Sequence, residues 1–178
     1  MKKHQYSKTR RLQKGASLLE GIAYLGIAAI VVIGAIALLN TAFSSSNAND
    51  VNSQLSAIQT ATRKLFMTTQ GSYGTTDITQ TLITAKAFPQ TLSVGASTVR
   101  APWNGGVKVS GAASGQQFTI TYTSLPADLC VNAMTATSNG WVSVTGPADK
   151  AAHTPPISPA DAQTSCGSSA GDVVWTSN

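Results

Sequence analysis

The chain has 178 residues, of which only 11% are charged and 6% aromatic, with Ser, Thr, Ala and Gly filling the difference. That is one ordinary domain plus appendages, with the composition of an exported surface protein more than of a cytosolic enzyme. The formal charge of +5 sits at one end: Lys2, Lys3, Lys8, Arg10, Arg11 and Lys14 are half of the 12 basic residues, and all 7 acids follow them. From residue 16 onward the net charge is −1, which excludes a basic nucleic-acid surface and makes the basic leader a targeting signal.

Residues 1–15 read as an unstructured, removable leader that ends at Gly15. An apolar run starts at once and reaches Phe43, and residues 22–39 carry no charge at all. A stretch of about that length spans a bilayer as a helix. Positive residues stay cytoplasmic, so everything after the run lies outside the inner membrane. One carboxylate, Glu20, interrupts the start of the run. Burying a lone acid at mid-bilayer costs about 2.5–3.5 kcal/mol, so Glu20 is a candidate functional residue whose positive partner has to be found. Gly21, Gly26 and Gly34 either let helices approach closely or reflect the ordinary tolerance of membrane helices for glycine.

Two plainer readings of this end exist. One is a cleaved secretory signal, with Ser46-Asn47-Ala48 as its small-residue cleavage site; the other is a simple single-pass anchor. The run exceeds the roughly 7–15 residues of a signal core. Neither reading gives a reason for Gly15 before Ala16, nor for Glu20.

Residues 44–50 form a polar patch, read as a hinge or a solvated helical turn. Helical periodicity then returns, with Val51, Leu55, Ile58, Thr62 and Leu65 on one face. Ser53, Gln54, Gln59, Thr60, Arg63 and Lys64 take the other faces. The pattern predicts one helix over 16–67, about 80 Å long. It is apolar all round in its 16–43 half and amphipathic beyond, which is how a spine is written. One half packs on lipid or identical helices, the other on its own head.

Residues 68–178 are the head. Gly71-Ser72-Tyr73-Gly74 ends the spine, and Asp77, with Gln80 as box partner, caps a short helix carrying Ile78, Leu82 and Ala85. Residues 90–106 read as loop, closing in the turn Pro102-Trp103-Asn104-Gly105-Gly106. Strands are predicted at Val107-Lys108-Val109, at 118–123 where Phe118, Ile120 and Tyr122 alternate with threonines, at 141–145, and at 172–176. Pro126 opens a helix whose buried side is Leu129, Cys130, Ala133 and Met134. Residues 146–171 are proline-rich and read as irregular, with His153 a solvated loop residue. The fold class is α+β: a long N-terminal helix packed on a four-stranded antiparallel sheet.

Cys130 and Cys166 are the only cysteines. Outside the inner membrane an even count points to one bridge, and free thiols are disfavoured there. Closing residues 130–166 is worth roughly 4 kcal/mol on the chain-entropy account. One histidine after the leader, no glycine-rich phosphate loop and no patterned serines leave neither a catalytic constellation nor a metal site. No cofactor is expected.

The start carries a resemblance. A basic leader, then Gly15, a small residue, two leucines and Glu20 resembles a type IV prepilin. The long leader and Ala16 as first mature residue are similar to the type IVb group, within it the major pilins of enterobacterial and plasmid-encoded thin pili. The specific match covers residues 14–43. The resemblance implies that a prepilin peptidase cleaves between Gly15 and Ala16 on the cytoplasmic side, with methylation of the new amine. It implies that Glu20 meets the Ala16 α-amine during assembly and that the Cys130–Cys166 loop forms exposed filament surface. The implied partners are other copies of the chain, the peptidase, the inner membrane, an ATP-driven assembly machine, and a host or recipient cell surface. Secretion-system pseudopilins and minor pilins share this start and are the second reading; major pseudopilins often carry an acidic calcium loop in place of a C-terminal disulfide, and Asp is sparse in this chain. An adhesin or DNA-capture factor acting without polymerising is the alternative from another class, and a soluble head binding cells or DNA without fibres would favour it.

Overall fold

The structure is a computed structural model, and it describes residues 18–178. The expected leader, residues 1–15, and the expected first mature residue, Ala16, lie outside the described residues. The chain forms two compact units, Met1–Thr41 and Ala42–Asn178. Helix α1 (Leu18–Phe66) contributes to both and is helical through the polar patch at 44–50.

In the first unit the described residues are all helix, as expected of a stretch dominated by Leu, Ile, Ala and Val without proline, despite Gly21, Gly26 and Gly34. In the second unit the end of α1 leads, through a 3-10 turn at Met67–Thr69, into α2 (Thr79–Thr84) and then the sheet. Its strands are β1 (Ser93–Val94), β2 (Val99–Arg100), β3 (Gly106–Ala112), β4 (Gln117–Leu125), β5 (Ser143–Thr145), β6 (Ala152–His153) and β7 (Gly171–Ser177). Their order is β1-β2-β3-β4-β7-β5-β6, antiparallel throughout. The last strand therefore enters the middle of the sheet, between β4 and β5.

The fold class stands as read, with a corrected strand count of seven rather than four. The four expected strands are β3, β4, β5 and β7. The additional ones, β1, β2 and β6, have two residues each, too few for alternation to show in a sequence. They lie in stretches read as loop. A helix also occupies the segment read as irregular: α4 (Pro159–Cys166). Its start is conventional, since the Ser158 hydroxyl accepts from the Asp161 N–H at 3.2 Å and Pro159 takes the first turn.

One face of the sheet shares a core with the amphipathic end of α1. Val51, Leu55, Ile58 and Thr62 are buried there with Val107, Val109, Phe118, Ile120, Tyr122, Val173 and Trp175. Leu65, expected on this face, is 37% exposed because α1 reaches its end one residue later. Removing a large apolar side chain of this kind from water stabilises by about 1.5–3 kcal/mol, so β4 and β7 anchor the head. Helix α3 (Ala127–Thr135) buries Leu129, Cys130, Ala133 and Met134, as its spacing predicts, and packs on α4.

Candidate functional site: an exposed apolar helix and a clasped disulfide loop

The first candidate region is Leu18–Leu39, 22 residues of α1, none of them buried. At about 1.5 Å per residue this is roughly 33 Å of helix, against about 30 Å of bilayer hydrocarbon. Leu19 is 79% exposed, Ile30 74% and Leu38 75%, far more contiguous apolar surface than a protein leaves in water. Glu20 lies in the first turn of α1, is exposed, and is the one charged residue of the stretch. Apart from adjacent residues and the helix's own backbone, no atom comes within 4 Å of where a Cβ would stand on Gly21, Gly26 or Gly34, so each offers backbone to an approaching surface. The other half of this expected site, Gly15 and Ala16, lies outside the described residues.

The second region is built by α3 and α4. Cys130 and Cys166 form a disulfide with their Cα atoms 5.9 Å apart. The Met134 thioether packs 3.4 Å from Cys166 Sγ. Next to Cys166, the buried Ser165 hydroxyl accepts from the Gly146 N–H at 3.1 Å and donates to Asp149 Oδ1 at 2.9 Å. A Cβ on Gly146 would collide with Ser165, so only glycine lets the loop come this close. Asp149 Oδ2 in turn meets His153 Nε2 at 2.8 Å. Partial burial pushes the Asp149 carboxyl up. Hydrogen bonds from His153, the Ala151 N–H and Ser165, with the His153 charge, outweigh it and hold the carboxyl below the usual carboxylate range. His153 is thus a half-buried residue of strand β6 tied to Asp149, not the solvated loop residue the sequence suggested.

A third set of contacts fastens α1 to the sheet within the head. The Tyr122 hydroxyl donates to Gln54 Oε1 at 3.0 Å, and Gln54 Nε2 donates to Thr91 Oγ1 at 3.1 Å. Gln54, assigned to a polar face by the sequence reading, is 2% exposed. Its place three residues after Val51 and four before Ile58 is the signal that was there to be used. Burial pushes the Tyr122 phenol well above its ordinary value, so it stays a donor. Farther along, Gln59 Nε2 and Arg63 Nη2 donate to Ser177 Oγ at 2.8 and 3.0 Å. Among the described residues no three His, Cys, Asp or Glu side chains converge in a metal-binding cluster.

A long helix bearing an exposed apolar half, an antiparallel sheet packed on its other half and a disulfide-closed loop together define a pilin-like structural subunit. The crystal structure of TcpA, a type IV pilin from Vibrio cholerae El Tor biotype, is similar over 75% of this chain and 99% of that one, with a TM-score of 0.54 at 12% identity. No curated protein sequence matches the chain. The model of the PilS N-terminal family matches residues 45–178, and the chain belongs to that family. It is a type IVb pilin, a structural pilus subunit that self-associates into a filament, and not an enzyme.

Proposed function

We propose that the chain is made as a prepilin whose residues 1–15 form a cytoplasmic leader, with 16–67 as spine, 16–43 as its membrane and filament-core half, and 68–178 as head. A prepilin peptidase removes the leader between Gly15 and Ala16. The mature helix waits in the inner membrane with its head in the periplasm. An ATP-driven machine then inserts it into a growing pilus, where Glu20 pairs with the Ala16 α-amine of a neighbouring copy. The finished filament serves attachment, cell-cell contact or conjugation.

The observation that carries this reading is the exposed apolar run Leu18–Leu39 with Glu20 as its single charge. Such a surface needs lipid or identical helices around it, and an acid at the start of an apolar run is a functional-site candidate. Electron microscopy of shear-released surface fibres, with the chain identified in them and its N-terminus sequenced, tests it. Fibres built of chains starting at Ala16 are expected. A mature start at Asn49, the secretory-signal outcome, removes the spine and overturns the proposal.

A further inference from the structure

We propose that the outer face of the sheet, opposite α1, carries a binding site for an acidic saccharide held between Arg100 and Lys108. A cleft of about 310 Å³ opens beside β2 and β3, within the size range of small-ligand sites, about 300–1,000 Å³. It forms because the edge of β3 has two partners in succession. β2 covers it as far as the Val99–Val107 pair, and the segment before α2 covers it from Val109, whose carbonyl accepts from the Ile78 N–H at 2.9 Å. Lys108 stands at the gap between them.

Gly106 makes the floor. Its N–H donates to Thr123 Oγ1 at 2.6 Å, and a Cβ there would come within 3.2 Å of that oxygen. A side chain in this strand position would project into the cleft, so glycine keeps it open. Arg100 Nη1 donates to Asn104 Oδ1 at 3.0 Å, which orients the guanidinium. Neither Arg100 nor Lys108 has a carboxylate within ion-pair distance among the described residues. Asp77, on the cleft wall, has Oδ1 engaged by the Thr79 N–H at 2.8 Å, leaving its other oxygen for a ligand hydroxyl.

This mixture selects a chemistry. A bare anion leaves Asp77 facing a like charge. A neutral sugar leaves two cations without an anion. A sugar acid satisfies both, its carboxylate taken by Arg100 and Lys108 and its hydroxyls by Asp77, Asn104 and Thr123. The site gives attachment a ligand and rests on that reading only for its biological use. Failure of binding overturns the site, whereas the pilus-subunit reading is decided by fibre formation.

Calorimetric titration of the full chain in detergent micelles tests it, with glucuronate as probe, glucose as the neutral comparison and inorganic phosphate as the anionic one. Glucuronate is expected to bind at least about tenfold more tightly than either, and Arg100→Ala and Lys108→Ala each to weaken it about tenfold, the scale of one charge-assisted contact. Gly106→Val is expected to abolish binding by filling the floor. Since that change adds a branched side chain against Thr123, Lys108→Glu, which alters only the charge at an exposed position of β3, provides a second variant and is expected to abolish binding too. Equal binding of glucose or phosphate, unchanged affinity in the Lys108 variants, or no saturable binding of glucuronate overturns the proposal.

Discussion

Tyr122, in the central strand β4, gives its hydroxyl proton to Gln54 on α1 across 3.0 Å of otherwise apolar core. This bond sets the rotation and height of the helix against the sheet, because a buried amide oxygen and a buried phenol each cost free energy if left alone. Tyr122→Phe is expected to destabilise the head by about 1–3 kcal/mol through the orphaned Gln54 oxygen. Gln54→Leu should cost a similar amount. The double variant should cost less than the two singles together, since it leaves neither group stranded. Urea unfolding of the three variants measures the coupling, and strict additivity would mean that the bond fixes nothing.

The clasp around Asp149 makes head stability depend on pH in a definite direction. Its native carboxyl is held below the usual carboxylate value. Near pH 4 the unfolded chain therefore binds more protons than the native one, and stability rises with pH. The contribution is fully present above the ordinary value of about 3.9 and is lost as pH falls through the lower native one. Asp149→Asn is expected to be less stable than the parent at neutral pH, and the difference should shrink on acidification toward about pH 3. Urea midpoints of both chains across that range check it. A difference that grows with acidification refutes the clasp.

The disulfide links α3 to α4, and α4 also supplies the Ser165 that holds the 146–149 loop. Replacing both cysteines with serine is expected to lower head stability by about 2–5 kcal/mol. Protein taken from the cell surface should be two hydrogens lighter than its reduced form by mass measurement. Thermal unfolding of the variant with and without reductant completes the test: reductant should lower the melting temperature of the parent and leave the variant unchanged.

What the sequence made legible follows pattern length. The face Val51, Leu55, Ile58 and Thr62, the alternation of Phe118, Ile120 and Tyr122, and the buried side of α3 are each long enough to impose a period, and each is buried as read. β1, β2 and β6 present no period in two residues: β2 is held by the longer β3, β6 by β5, and β1 pairs only with the equally short β2. α4 has a legible start, Ser158-Pro159-Ala160-Asp161, set among prolines that otherwise favour irregular chain. Gln54 shows the opposite case. Residue type sends it outward while its spacing places it inside, where Tyr122 of β4 and Thr91 satisfy its amide.

Glu20 carries the sharpest expectation for assembly. If the leader is removed as proposed, the Ala16 α-amine becomes a positive charge at the start of the apolar run, next to lipid and without water to solvate it. A carboxylate near the start of an adjacent helix already in the filament supplies the counter-charge. In a medium of low dielectric that attraction is strong, and leaving either charge alone is costly. Pairing rewards insertion at one axial stagger and no other, so a single residue sets both affinity and register. The plainer alternative is an intrachain pair, since amine and acid are four residues apart in sequence. Such a pair neutralises the acid and specifies nothing about assembly. Glu20→Gln and Glu20→Val separate the two. With intersubunit pairing, subunits lose their leader normally, stay in the membrane and yield few or no surface fibres, scored by immunoblot of membranes and of the sheared fraction. Fibre yield at the parental level from either substitution refutes the intersubunit role.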